Sequence, residues 1–190
     1  MCTTLVYKMN TDRRRFIKNS LVVAVAAPQL VLSGCSNEEH IDRKLQFRTL
    51  DEGYSEAERL AKLNIIPAGS EFTIPQTLVH CAQSIEYSML GFPESKSALF
   101  QRTVGTAAFG VFSMRGRMSH DLSEPIPGAA ELSNDVAADL ALQRLRSAIE
   151  KFRVSQTPLK PHFAYGKLSR KDYELAHAMH LANHFSVIGG

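Results

Sequence analysis

The stretch from Ser169 to Ile188, SRKDYELAHAMHLANHFSVI, constrains this chain more than any other. Ser169 followed three residues later by Asp172 is a helix-start signature, a hydroxyl able to accept from the first free amides. Tyr173, His177, His180 and His184 then fall at i, i+4, i+7 and i+11. At roughly 100° per residue, all four share one stripe of a helix. Leu175, Met179 and Ala182, with Leu168 just ahead, lie on another face and give the helix something to bury. Three imidazoles on one face are costly unless they are solvated, hydrogen-bonded or bound to a metal. His180 and His184, one turn apart, project side by side and can place two neutral imidazoles on one ion. A solvated polar face that happens to carry histidine is the plain alternative.

The rest of the chain reads as helices. Thr49 to Glu52 is a capping sequence opening a helix to about Ala61, apolar at Leu50, Ala57 and Leu60. Pro67 to Ser70 breaks the pattern, and Thr73-Ile74-Pro75-Gln76 opens a second helix running to about Leu90. Its apolar stripe is Leu78, Cys81, Ala82, Ile85 and Met89; His80, Gln83, Ser84 and Tyr87 lie opposite and suit a cleft wall or a surface. A third stretch, Ala98 to Met114, is apolar at Phe100, Val104, Ala108, Val111 and Phe112, loosened by Gly105 and Gly110 and ended by Gly116. A loop over 117–133 carries His120, Asp121 and Glu124. Asn134 to Arg153 is strongly amphipathic, with Ala138, Ala141, Leu142, Leu145, Ile149 and Phe152 at helical spacing. The loop PHFAYG over 161–166 then leads into the histidine helix. With no sustained strand alternation, the expected fold is all-α: an up-and-down bundle of four main helices plus a shorter accessory one.

The N-terminus reads as an address. Arg13-Arg14-Arg15-Phe16-Ile17-Lys18 resembles the twin-arginine export consensus, and an apolar run from Leu21 to Leu32 follows. Leu32-Ser33-Gly34-Cys35 matches a bacterial lipobox, which implies that Cys35 is lipidated and becomes the mature N-terminus. The expected organisation is a signal over 1–34, a polar tether over 35–47 and a helical domain over 48–190. The expected location is the periplasmic side of the cell envelope, lipid-anchored, reached through the twin-arginine export machinery. Without residues 1–34 the basic excess vanishes, since 17 basic residues then face 18 acidic ones. That balance carries no footprint for nucleic acid. Cys81, on the apolar side of its helix, reads as a small core residue.

Four segments together are similar to a known bacterial family: LVHCAQSIEYSMLGFP at 78–93, HDLSEPIPGA at 120–129, PHFAYGKLSR at 161–170 and AHAMHLANHFS at 176–186. They resemble the domain of unknown function 1569 family, within the DinB-like (YfiT-like) superfamily of metal-dependent proteins. The resemblance implies an up-and-down helical bundle and a metal site of one histidine on an early helix plus a His-x3-His pair on the last. By position these are His80, His180 and His184. Three imidazoles leave coordination positions open, as catalytic sites do. The ion is divalent, with zinc, nickel and iron all suited to imidazole. His177, His162, Tyr87, Tyr173 and Ser84 are the residues expected around such a centre, as hydrogen-bond partners of the ligands or as substrate contacts. A homodimer is one expected assembly.

Three functions compete. The first is a metal-dependent enzyme: a thiol-dependent transferase, by the superfamily resemblance, or a hydrolase with Glu86 or Glu124 as base. The second is a metal- or ligand-binding protein of the envelope without turnover. The third is a structural protein whose histidines hydrogen-bond to one another.

Overall fold

The computed structural model describes residues 42–63 and 72–189. The arginine run at 13–15, Cys35, His40 and the break at Pro67 to Ser70 lie outside the described residues. Within them the chain is all-helical, with five helices and no strand. These are α1 (Leu50–Leu60), α2 (Ile74–Leu90), α3 (98–115), α4 (Ala138–Val154) and α5 (Arg170–Phe185). No helix among the described residues is long and apolar enough to cross a membrane.

Capping chemistry sets the starts. Thr73 accepts from the Gln76 amide while the Gln76 side chain accepts from the Thr73 amide, a complete capping box; Ser169 and Asp172 do the same for α5. At α1 only half the box forms: Thr49 accepts from the Glu52 amide, but the Glu52 carboxylate takes the Arg48 amide instead. α4 starts four residues later than the pattern predicts, at Ala138, because Asn134 is used elsewhere. Its Oδ1 accepts from Gln76 Nε2 at 2.9 Å, tying the loop before α4 to the start of α2.

α2 packs along α4 and against α5, while α1 covers α5 and α4. The predicted stripes meet in that core: Leu50, Ala57 and Leu60 from α1, Leu78, Cys81, Ala82 and Ile85 from α2, and Ala141, Leu145, Ile149 and Phe152 from α4. Burying a Leu, Ile or Phe side chain contributes about 1.5–3 kcal/mol, so this shared core is the main source of stability. α5 is central, buried on several faces through Tyr173, Ala178, Leu181, Ala182 and Phe185 as well as its histidines. Burial pushes the Cys81 thiol pKa up, as expected of an inert core cysteine.

Two expectations change. Residues 42–47, read as tether, are docked: Arg43 and Leu45 amides donate to Ser186, and Phe47 is buried against Phe185. The apolar residues of α3 do not enter the core. Val104 and Val111 are exposed, and no residue of Thr106–Arg115 is buried. α3 instead lies against the loop over 162–166. It makes that approach through a widened π-helical turn at Gln101–Gly105. Gly105 is the point of contact, where an added Cβ would sit 2.0 Å from the Ala164 carbonyl oxygen.

Candidate metal centre

His80 comes from the middle of α2, and His180 and His184 from one face of α5. The two helices pack so that their Nε2 atoms converge. His180 Nε2 lies 3.2 Å from His80 Nε2 and 3.1 Å from His184 Nε2. The ligating atoms of all three residues lie within 4.8 Å of one another. His80 and His184 are buried and His180 is half-buried.

A neutral imidazole nitrogen carries either one proton or one lone pair, never both. Hydrogen bonding can join the three only through His180 Nε2 in a shared, three-centre arrangement, with one lone pair accepting from both neighbours or one proton divided between them. A cation at the meeting point accepts all three lone pairs at once. With metal–nitrogen distances of about 2.0–2.1 Å, a tetrahedral site has nitrogen–nitrogen edges of about 3.3 Å. The observed spacing suits such an ion, so the residues fit a metal. If Nε2 ligates, His80 must carry its proton on Nδ1, which has no hydrogen-bond partner.

The electrostatics favour the ligand form. Burial, then the nearby His120, pulls the His80 pKa down to about 4. Burial also holds His180 and His184 well below the usual imidazole value, with the neighbouring imidazoles adding to the shift. All three are neutral at pH 7 with lone pairs available, as metal ligation requires.

His120 joins this cluster from the loop before α4. Its ring centroid lies 5.1 Å from that of His180 and 5.0 Å from that of His184. Nδ1 is 2.7 Å from the Asp121 carbonyl oxygen, which fixes the proton on Nδ1 and leaves Nε2 with its lone pair. Much of the residue is exposed, yet its ring sits among other imidazoles. Burial there lowers its pKa, opposed by the Asp121 carbonyl and the Glu124 and Asp121 carboxylates. Helical periodicity could not place a loop residue; the signal was a histidine close to Asp121 and Glu124 in a proline-containing loop.

The cluster opens on a cavity of about 430 Å³. Its walls include His80, Ser84, His120, Glu124, His162, Tyr165, His177 and His180. Ser84, His162 and His177 line the cleft. Tyr87 and Tyr173 are not among the lining residues: Tyr87 packs on Phe92, and buried Tyr173 donates its hydroxyl to the Lys160 carbonyl at 2.7 Å. Tyr165 takes the place of a lining tyrosine, its hydroxyl pKa raised by burial to about 12. Of the two candidate bases, Glu86 is bound bidentately by Arg144, at 2.7 and 3.1 Å, and does not line the cleft. Glu124 does.

Residues 40–189 match the family described as Protein of unknown function (DUF1569). The chain belongs to that family. No curated protein and no solved structure matches it. The DUF1569 match spans every helix of the structure, so the histidine cluster and its cleft belong to the family domain itself.

Proposed function

We propose that this DUF1569 protein holds a divalent metal ion (zinc, nickel or iron) on His80, His180 and His184 and presents it to a ligand in the adjoining cleft. The observation that carries this reading is the convergence of three neutral imidazoles, with His180 Nε2 at 3.2 and 3.1 Å from the other two, close to the edge length of a tetrahedral metal site. One ligand on α2 and a His-x3-His pair on α5, in a packing of α1, α2, α4 and α5, support the finer placement among DinB-like bundles.

A metal bound there would acidify water or polarise a carbonyl. The chain's own groups favour turnover over storage: Glu124 supplies a carboxylate on the cleft wall as base, and mainly apolar walls exclude water. The alternative, a metal- or ligand-binding protein without turnover, is favoured by a centre fully ligated by the protein. Cobalt substitution separates them. A cobalt(II)-loaded protein whose visible spectrum shifts on adding azide has an open coordination position; an unchanged spectrum would favour a closed centre, formed with His120 as fourth ligand.

We further propose that the protein is exported and anchored by a lipid on Cys35. The arginine run, apolar run and lipobox occur in register, which supports this reading. Intact-mass analysis of the native-host protein is expected to give a chain beginning at a diacylated Cys35; an unmodified chain retaining Met1 to Gly34 would contradict it.

A further inference from the structure

Besides the three-histidine centre, the cleft is lined by His162, which is held in a tight turn. Two short backbone bonds close the turn on itself, the His162 amide donating to the Gly166 carbonyl at 2.7 Å and the Gly166 amide to the His162 carbonyl at 3.0 Å. Gly166 sits at φ 74°, a conformation that side chains disfavour. Inside the turn, the Ala164 and Tyr165 amides both donate to His162 Nδ1, at 3.1 and 3.2 Å. Nδ1 must therefore carry a lone pair, and the single ring proton must sit on Nε2. The tautomer is locked by backbone. The ring is also fixed in angle: it stacks on Tyr165 at 4.3 Å with planes 7° apart.

His162 and His177 both line the cleft, and both are more than nine-tenths buried. His177 Nε2 has no hydrogen-bond partner, although it is a buried polar atom. Burial, with His177 as a smaller contributor, holds the His162 pKa near 3, so the ring presents a dipole and not a charge. Met118, Ile126, Phe163 and Ala176 are among the apolar residues that line the same cleft.

We infer that this part of the cleft is a binding subsite for a neutral carbonyl group on a largely apolar ligand, received by the His162 Nε2–H and by His177 in the tautomer that donates from Nε2. A locked neutral donor suits a carbonyl oxygen better than a carboxylate, because it brings no charge to offset the desolvation of an anion. The inference deepens the reading of the cleft as a ligand site and rests on it. It does not require the metal.

The test uses the full chain, with and without chelator, and three probes of one shape: acetophenone, ethylbenzene and benzoate. Long-range proton–nitrogen NMR is expected to show His162 protonated at Nε2 and bare at Nδ1. Acetophenone should shift the His162 Nε2–H resonance, ethylbenzene should bind without that shift, and benzoate should bind most weakly. In His162→Phe the preference for acetophenone over ethylbenzene should fall about five-fold, the worth of one ordinary hydrogen bond. Because the tautomer and shift are read in the parent protein, a variant that fails to fold leaves the test intact. A His162 protonated at Nδ1 would overturn the inference. So would acetophenone that fails to bind or leaves His162 unmoved, or benzoate that binds best. A chain that takes up no metal yet shows the His162 shift would fault the metal reading alone; metal bound without the shift would fault this subsite alone.

Discussion

Acid is expected to destabilise the metal-free protein well above the pH at which carboxylates titrate. His162 and His177 are buried neutral, with pKa values held near 3 by desolvation. An unfolded histidine titrates near 6.5. Their folded pKa values are thus depressed, so their neutral burial is free of cost above about pH 6.5. Below that pH the unfolded chain binds protons that the folded chain cannot, and stability is lost as pH falls. Two such groups give a slope of about 2.7 kcal/mol per pH unit once pH is below about 5.5, and in the metal-free protein His80, His120, His180 and His184, also depressed by burial, steepen it further. From pH 5.5 to pH 4 the two alone give about 4 kcal/mol, against a typical domain total of about 5–15 kcal/mol. Glu56 and Asp42 also have lowered pKa values: at Glu56 burial, which raises it, is outweighed by hydrogen bonds from Arg59 and Arg43 together, and at Asp42 the Lys44 amide and Arg117 lower it. Their losses begin near pH 4 and leave the window above it to histidine. Urea unfolding of chelator-treated protein at several pH values measures the slope. His177→Gln should remove about half of the two-histidine slope; constant stability between pH 6.5 and 4.5 would contradict the burial argument.

Gly105→Ala is expected to destabilise by about 3 kcal/mol, against the ordinary rule that alanine improves a helix by about 1 kcal/mol. The added methyl would meet the Ala164 carbonyl oxygen at 2.0 Å, and both partners are backbone, so neither can rotate away. The loop over 162–166 would be pushed off α3, and with it the ring of His162. Gly110→Ala is the control. It lies on the same helix with nothing within 4 Å of its added Cβ, and should stabilise by about 0.5–1 kcal/mol. Parallel urea titrations compare the two; equal stabilisation by both would refute the close contact.

Much of this was legible in the sequence, for identifiable reasons. Leu50, Leu78, Leu145 and Phe152 repeat at helical spacing because one face of each helix is buried, and the buried face is the one the spacing marks. His180 and His184 sit one turn apart on one helix, so their convergence was local information. The third member, His80, is 100 residues away from His180 in the chain, and only the packing of α2 on α5 joins them. His120 escaped because a loop has no period to read. α3 misled for the opposite reason: its apolar period is real, but Gly105 commits it to the 162–166 loop and leaves Val104 and Val111 outside the core. Tyr173 shares the histidine stripe, yet its hydroxyl is spent on the Lys160 carbonyl, a partner that no helical spacing reveals.

The most direct test of the central claim is the metal content of the full chain, produced with zinc, nickel and iron available, beside His180→Ala and His80→Ala. Far-UV circular dichroism confirms that each variant is folded. The account predicts about one metal ion per parent chain, as one three-histidine site holds, and strongly reduced metal in both variants. A folded parent that carries no metal and takes up none when zinc, nickel or iron is added would contradict it, as would metal kept undiminished by His180→Ala.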